Sequence, residues 1–175
     1  MSSIMARKSR QVETRMVSEY LLANYSKFPY TMNVPLGVLP QDLLEMKGVL
    51  AASRIYRPFR PVVDAVVILP RYLLLVEAKV WNVINGLSKL PLYKSLIPLT
   101  IELKQYMPRE VLMQLVVGWS NTNLEVMARD AGVEVKIFCP DWLKEVVDGM
   151  HKYWTQDYRA DREKKIQMRE YFGVE

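Results

Sequence analysis

The sequence predicts an α/β fold in which helices flank a central mixed sheet, and three observations support this class. Two apolar runs rich in Val, Ile, Leu and Tyr, residues 62–69 and 72–80, are typical of buried strands. A strand–helix–strand pattern at residues 111–138 has short links, which favour a right-handed parallel crossover. A helical pattern near the start completes the order helix, three strands, helix, strand, helix, strand, helix.

The N-terminal region predicts a loose basic arm, residues 1–8, followed by a helix from Ser9, as its N-cap, to about Ser26. The apolar side of this helix consists of Val12, Met16, Val17, Tyr20 and Leu21. Glu13 lies within the stripe, because residues three and four apart share a helix face. This carboxylate either has a partner on the buried side or lies on a solvated flank of the helix.

Residues 27–60 are expected to lead into the sheet. Phe28-Pro29 and residues 34–37 are loop-like because of their prolines and glycine, residues 40–50 favour a short helix, and residues 51–59 are expected to form the first strand. Arginines recur every third residue at the end of this segment, at Arg54, Arg57 and Arg60. They are expected either to contact the phosphates of a nucleic acid or to form an exposed polar edge.

The second half of the chain alternates helices and strands. In order, we expect a helix at 87–96 interrupted near Pro91, a strand at 111–119, a helix at 121–131, a strand at 133–138, a helix from Asp141 to about Trp154, and a charged helix at 155–175. Asn or Thr begins the helix at 121–131 and Gly132 is its C-cap. Since the sequence contains no repeat and no low-complexity linker, a single domain over residues 1–175 is expected.

Three charged residues, Asp64, Glu77 and Lys79, interrupt the two apolar runs. In a hairpin with Pro70 and Arg71 at its centre, Asp64 faces Glu77, and their Cβ atoms lie about 4.5–5.5 Å apart. Lys79 is two residues beyond Glu77 and points to the same face. A four-residue loop keeps this register, whereas a three-residue loop moves Glu77 to the other face unless a bulge restores it.

These charges need compensation, since facing like charges are destabilising and buried charges are costly unless they are paired or bind metal. A divalent cation between Asp64 and Glu77 satisfies this need, and a metal-free salt bridge with Lys79 is the alternative. The single cysteine, Cys139, and the single histidine, His151, argue against a zinc site or a histidine-based triad. Oxygen ligands favour Mg²⁺ or Mn²⁺.

Composition is that of an ordinary globular chain, since half of the 175 residues are apolar and a quarter are charged. The 24 basic and 19 acidic residues give a net charge of +5, which suits a nucleic-acid partner. The basic N-terminus is not followed by an apolar signal segment, and charges and a proline break the longest apolar run. A cytoplasmic location, or the host cytoplasm for a viral protein, and no membrane association are therefore expected.

The motif V-D-A-V-V-I followed by V-E-A-K on consecutive strands resembles the PD-(D/E)XK, or restriction-endonuclease-like, nuclease superfamily. Val63 stands where that superfamily usually has a proline before the aspartate. The resemblance implies a restriction endonuclease-like core, whose αβββαβαβ order the predicted elements match. It also implies metal-dependent hydrolysis of DNA, with Mg²⁺ or Mn²⁺ held by Asp64, Glu77 and the carbonyl of Ala78.

The same resemblance implies further roles. Lys79 would orient the attacking water or stabilise developing negative charge, and Glu13 would reach the metal site, with Glu19 as the alternative acid. On the helix after the E-A-K strand, Tyr93 and Lys89 are expected near the site and its DNA, although a glutamine is usual where Lys89 stands. A second function stays open, that of an inactive nuclease-fold protein serving as a DNA-binding or assembly subunit in a homo-oligomer or a larger, for example viral, complex.

Overall fold

The computed structural model describes residues 3–151 and 156–172. The chain forms two compact units, Met1–Phe138 and Cys139–Glu175. The elements of the first unit are, in order, α1 (Ser3–Tyr25), β1 (Tyr30–Pro35), α2 (Gln41–Tyr56), β2 (Val62–Ile68), β3 (Tyr72–Lys79), α3 (Val83–Leu96), β4 (Glu110–Val117), α4 (Thr122–Asp130) and β5 (Val133–Ile137). Short 3₁₀ turns lie at Arg57–Phe59, Ile97–Leu99 and Ile101–Tyr106.

The five strands form one mixed sheet in the order β1-β2-β3-β4-β5. The pairs β1–β2 and β2–β3 are antiparallel, whereas β3–β4 and β4–β5 are parallel. This arrangement confirms the predicted α/β class with a mixed sheet flanked by helices. The parallel pairing of β4 and β5 across α4 confirms that this strand–helix–strand unit is a parallel crossover.

The β2–β3 hairpin has the predicted register. Ala65 pairs with Val76 and Ile68 pairs with Leu73. The N–H of Leu69 donates to the carbonyl of Tyr72 at 3.0 Å, which closes the four-residue loop. One step beyond the last ladder pair, Asp64 and Glu77 therefore occupy facing positions on the same side of the sheet.

The predicted first strand is wrong. Residues 51–59 are helical, because α2 resumes after a kink at Gly48 and extends to Tyr56, and the 3₁₀ turn Arg57–Phe59 follows it. Alanine and arginine, which favour helices, recur in that segment. The first strand is β1, which begins after Phe28-Pro29 and ends within the segment 34–37 that was expected to be loop-like. β1 lies at an edge of the sheet, and Pro35 ends it, a position where proline is tolerated in strands.

Two helix starts also differ from the prediction. α1 begins at Ser3, so residues 3–8 are helical and not a loose arm, and Met, Ala, Arg and Lys in this stretch are good helix formers. α3 begins at Val83 and continues through Pro91 as one helix. The predicted end of the later helix near Trp154 lies outside the described residues.

The cap of α4 and its neighbouring strands agree with the prediction to within two residues. Oδ1 of Asn121 accepts a hydrogen bond from the N–H of Leu124 at 2.9 Å, as an N-cap does. Gly132 follows the helix with a φ of +66°, a left-handed conformation that favours glycine.

The two faces of the sheet are covered by different helices. Met16, Val17, Tyr20 and Leu21 of α1 are buried, and the hydroxyl of Tyr20 donates to the side chain of Gln114 on β4 at 2.8 Å. On the opposite face, Leu73 and Leu75 of β3 belong to one buried cluster with residues of α3. Glu77 and Lys79 are the next positions on that face, so the apolar stripe of β3 ends in charge.

The second unit contains α5 (Asp141–His151) and α6 (Gln156–Phe172). α6 confirms that the charged C-terminal segment is helical within the residues described. The single domain over residues 1–175 stays a prediction. In the ranges 3–151 and 156–172, no helix combines the length and the apolar character that crossing a membrane requires.

Candidate active site

Four charged side chains meet where β3 ends. The Nζ atom of Lys79 lies 3.2 Å from Oε1 of Glu77 on the same strand and 3.9 Å from Oδ2 of Asp64 on β2. It also lies 3.2 Å from Oε2 of Glu13, which is 66 residues away on α1. The structure thus brings together the acid pair, the lysine and the helix acid that the sequence singled out.

Backbone groups at the end of β3 hold two of these carboxylates. The N–H of Ala78 donates to Oδ2 of Asp64 at 2.9 Å, at a position just beyond the last β2–β3 ladder pair. The N–H of Val80 donates to Oε1 of Glu13 at 3.3 Å. The carbonyl of Ala78 accepts a hydrogen bond from the ammonium of Lys79 at 3.0 Å. The end of the strand therefore fixes both acids through groups that a neighbouring strand would otherwise bind.

Glu77 is the most buried member of the cluster. It is 2% exposed, and among the described residues its Oε2 atom is buried without a hydrogen-bond partner. Burial and the nearby charge of Asp64 raise the pKa of Glu77 to about 7, although Lys79 and Lys89 act in the opposite direction. Lys79 therefore faces Oε1 of Glu77, and Oε2 lacks a hydrogen-bond donor among the described residues.

The cluster carries more negative than positive charge. Burial raises the pKa of Glu13, against the effect of Lys79. Burial lowers the pKa of Lys79, but Glu77, Asp64 and Glu13 outweigh that effect and raise it above its ordinary value. Lys79 is therefore an ammonium at neutral pH, and this one cation faces three carboxyl groups, of which Glu77, with a pKa of about 7, is only partly ionised there.

The structure distinguishes between the two acids proposed on α1. Glu13 contacts Lys79 and the backbone of Val80. Glu19 instead forms an ion pair with Arg15 one turn away, at 2.8 Å between Oε1 and Nε, on the exposed side of the helix. The helix acid at the site is therefore Glu13, which the resemblance favoured over Glu19.

Two residues of α3, Lys89 and Tyr93, lie within electrostatic reach of the cluster. The charge of Lys89 lowers the pKa of Glu77. Burial raises the pKa of Tyr93 to about 12, and the negative charges of Glu77 and Asp64 add to this effect. Tyr93 is only 7% exposed, so its side chain is buried and does not lie on the surface.

The three periodic arginines have different environments. Arg54 and Arg57 are exposed, and Nη2 of Arg57 donates to the carbonyl of Asn33 at 2.8 Å. Arg60 is 5% exposed, and its two Nη atoms donate to the carboxylate of Glu102 at 2.7 and 2.9 Å. The expected phosphate contact is therefore corrected for Arg60, because its guanidinium is committed to a partner 42 residues away.

Sequence reasoning missed Gly86 on α3. A Cβ atom at this position would lie 2.5 Å from Cγ of Lys79 and 3.0 Å from Cδ1 of Leu115. Glycine inside a helix costs about 1 kcal/mol relative to alanine, which is a signal of a packing or functional reason. Here the reason is space for the stem of Lys79.

The donor set suits a hard divalent cation in its chemistry. Asp64, Glu77 and the carbonyl of Ala78 offer only oxygen ligands, which Mg²⁺ and Mn²⁺ prefer, and the unpartnered oxygen of Glu77 fits a ligand role. The ammonium of Lys79 lies among the carboxylates. Within the part of the chain that is described, no group of three or more His, Cys, Asp or Glu side chains is arranged as a metal-binding cluster.

Comparison with known proteins adds no relative. No protein-family model, no curated protein and no solved structure matches the chain. The functional interpretation therefore depends on the sequence motif, the fold and the contacts at the end of β3.

Proposed function

We propose that the chain is a metal-dependent nuclease that hydrolyses DNA phosphodiester bonds through Asp64, Glu77 and Lys79. The observation that carries the proposal is the meeting of these side chains at the end of β3, where Glu77 has a buried oxygen without a partner in the described part of the chain. Two facing carboxylates with a lysine two residues further along the strand support the resemblance to PD-(D/E)XK nucleases. The net negative charge of the cluster also favours a divalent cation.

The arrangement of the elements supports a restriction endonuclease-like core. α1 is followed by three antiparallel strands, then by α3, β4, α4 and β5, in the order that the resemblance implies. α2 is an addition between the first two strands. Because Glu13 reaches the cluster from the helix that precedes the sheet, the first helix also takes part in the site.

Each residue of the site has a role in this proposal. Asp64, Glu77 and the Ala78 carbonyl would hold Mg²⁺ or Mn²⁺. The bound ion would polarise the phosphodiester and lower the pKa of a water molecule. Lys79 stays protonated and places positive charge where negative charge develops in the transition state. Glu13 positions Lys79 through their 3.2 Å contact and ties α1 to the strand end.

A second function is favoured by one contact. The ammonium of Lys79 already lies 3.2 Å from both Glu13 and Glu77, so it balances part of their charge without a metal. This arrangement also suits a protein that keeps the nuclease fold without its activity and acts as a DNA-binding or assembly subunit. The exposed apolar side chains of α2, among them Met46 and Leu50, offer such a protein a surface for a partner.

Nicking of plasmid and linear DNA in the presence of Mg²⁺, Mn²⁺ or EDTA separates the two functions. The wild type should cut with metal and not with EDTA, and both Asp64→Ala and Lys79→Ala should abolish cutting. The matched controls, Asp42→Ala and Lys47→Ala, change an acid and a lysine exposed on α2 and should cut like the wild type. The nuclease proposal would be wrong if a folded wild type cut no substrate and if metal did not change its melting temperature.

A further inference from the structure

A cleft of about 340 Å³ opens on the face of β2 that carries Asp64. Its floor includes Val66 and Ile68 of β2, and its walls include Thr31 of β1 and Tyr106 at the end of the 3₁₀ turn Ile101–Tyr106. We call it the β1–β2 cleft. It lies in the first unit and shares no lining residue with the charged cluster.

The β1–β2 cleft lies beside the candidate active site. Asp64, Val66 and Ile68 alternate along β2, so their side chains point to one face of the sheet. Side chains on one face of a strand repeat every roughly 7 Å. The floor of the cleft therefore begins one side-chain position away from the carboxylate of Asp64.

The lining of the cleft suits a flat, neutral ligand with polar edges. Val66 and Leu103 are buried apolar contacts, Thr31 and Gln105 are exposed neutral polar groups, and the ring of Tyr106 is half-buried. Ligand clefts of this kind combine an apolar lining with a few placed polar groups that fix orientation. The guanidinium of Arg109 lies over one face of the Tyr106 ring, 5.5 Å from its centroid, which leaves the other face as the kind of stacking surface that aromatic rings provide for nucleobases.

The charges in the cleft are arranged for an anion at its rim. The carboxylate of Glu102 lines the cleft, but Arg60 neutralises it through two hydrogen bonds of 2.7 and 2.9 Å. Arg57 also lines the cleft, and its exposed guanidinium donates one hydrogen bond, to the carbonyl of Asn33. Since a guanidinium has five N–H donors, Arg57 has donors left for a phosphate.

We infer that the β1–β2 cleft receives an unpaired nucleobase next to the phosphodiester at Asp64, while Arg57 contacts the adjoining phosphate. This inference rests on the proposed function and names its substrate class. A base within a duplex is stacked and paired, and it can enter a cleft only after it leaves the stack. The preferred substrate is therefore DNA with a single-stranded nucleotide beside the bond to be cut.

The test is equilibrium binding of fluorescein-labelled DNA to the full chain in EDTA, followed by fluorescence anisotropy. The probes are a single strand, a blunt duplex of the same sequence, and that duplex with a single-stranded overhang. The wild type should bind the single strand and the overhang more tightly than the blunt duplex. Thr31→Trp, which fills the cleft, and Tyr106→Ala, which removes the ring, should each weaken single-strand binding by roughly fivefold or more.

A matched control separates the cleft from a general effect of tryptophan. Thr122→Trp changes an exposed threonine at the start of α4, outside the cleft, and should bind all probes like the wild type. Equal wild-type affinity for single strand and blunt duplex would overturn the inference. Unchanged single-strand binding by Thr31→Trp, with a wild-type melting temperature, would overturn it as well.

The binding test is independent of the nicking assay, because EDTA prevents metal-dependent cutting and binding is measured without that cutting. If the protein cuts blunt duplex DNA and Thr31→Trp leaves single-strand binding unchanged, the nuclease proposal stands and the inference about the β1–β2 cleft is wrong. If the protein never cuts DNA but Thr31→Trp abolishes single-strand binding, the β1–β2 cleft is a binding site for DNA and the nuclease proposal is wrong.

Discussion

A methyl group on Gly86 would lie 2.5 Å from Cγ of Lys79, closer than folded proteins allow. The atom it meets is near the base of the lysine side chain, so the ammonium cannot keep its place by moving the far end alone. Leu115 closes the space on another side, at 3.0 Å. Gly86 therefore positions Lys79 among the three carboxylates.

Gly86→Ala should reduce metal-dependent DNA cutting by roughly 10- to 100-fold, because a small displacement of a catalytic group has effects of that size. Overpacking typically costs about 1–3 kcal/mol, which offsets the gain of about 1 kcal/mol from alanine in a helix. The measurements are the nicking rate and the free energy of unfolding in urea.

Gly149→Ala on α5 is the matched control. Among the described residues, no heavy atom lies within 4 Å of a Cβ placed there, so alanine should stabilise the chain by up to about 1 kcal/mol and leave cutting unchanged. If Gly86→Ala cuts at the wild-type rate, Lys79 either keeps its position or does not take part in catalysis.

Glu77→Gln should change the dependence of stability on pH in metal-free buffer. The pKa of Glu77 is about 7 in the folded chain and 4.5 for an unperturbed glutamate, so the folded state binds this proton more tightly. Its stabilising contribution is present below pH 4.5 and is lost as the pH rises through 7. Glu13, whose pKa is also raised, acts in the same direction.

Glu77→Gln should therefore match the wild type near pH 4.5 and exceed its free energy of unfolding by ~1–3 kcal/mol at pH 8. Urea unfolding in EDTA across this pH range measures the difference. Glu45→Gln, on the exposed face of α2, controls for the substitution and should follow the wild type. Parallel curves for Glu77→Gln and the wild type would show that Glu77 does not titrate in this range.

Glu13→Gln should slow metal-dependent cutting roughly tenfold, since partners that position catalytic groups have effects of about this size. The amide keeps the shape of the side chain but removes the charge that faces Lys79 at 3.2 Å. Glu19→Gln is the control on the same helix, where an exposed ion pair is worth about 0–1 kcal/mol. Equal cutting rates in the two variants would show that Glu13 has no role in cutting.

Arg60→Ala should destabilise the chain by roughly 3 kcal/mol or more, because it leaves the carboxylate of Glu102 without its bidentate partner. Arg57→Ala should change stability little and weaken DNA binding instead, with a shallower dependence on salt. Urea unfolding and anisotropy at several salt concentrations measure the two effects. Loss of DNA binding by a folded Arg60→Ala, with Arg57→Ala unaffected, would reverse these assignments.

The hairpin and the acid pair could be predicted from the sequence because they depend on local rules. Alternation along a strand fixes which side chains share a face, and the short loop at Pro70 fixes which residues face each other. Glu13 could be proposed because it lies within an apolar helix stripe and the resemblance implies an acid on the first helix. Its contact with Lys79 joins residues 66 apart, so the sequence alone could not supply it.

The parts that could not be predicted depend on tertiary contacts. β1 ends in a proline, a residue that normally marks a loop, and only its place at the edge of the sheet makes Pro35 acceptable. Arg60 looks like its periodic neighbours until the fold brings Glu102 beside it. Gly86 lies before the predicted helix 87–96 but within α3, and the reason for a glycine there, the stem of Lys79, belongs to another element.

The central claim is that Asp64 and Glu77 together hold a divalent cation, and titration calorimetry with Mn²⁺ tests it most directly. We expect binding that tightens roughly tenfold between pH 6 and pH 8, because Glu77, with a pKa of about 7, must be ionised to act as a ligand. Asp64→Ala and Glu77→Gln should abolish this binding, and Asp42→Ala should retain it. The account would be contradicted if the folded wild type bound no Mn²⁺ at pH 8. It would also be contradicted if all three variants bound Mn²⁺ as tightly as the wild type.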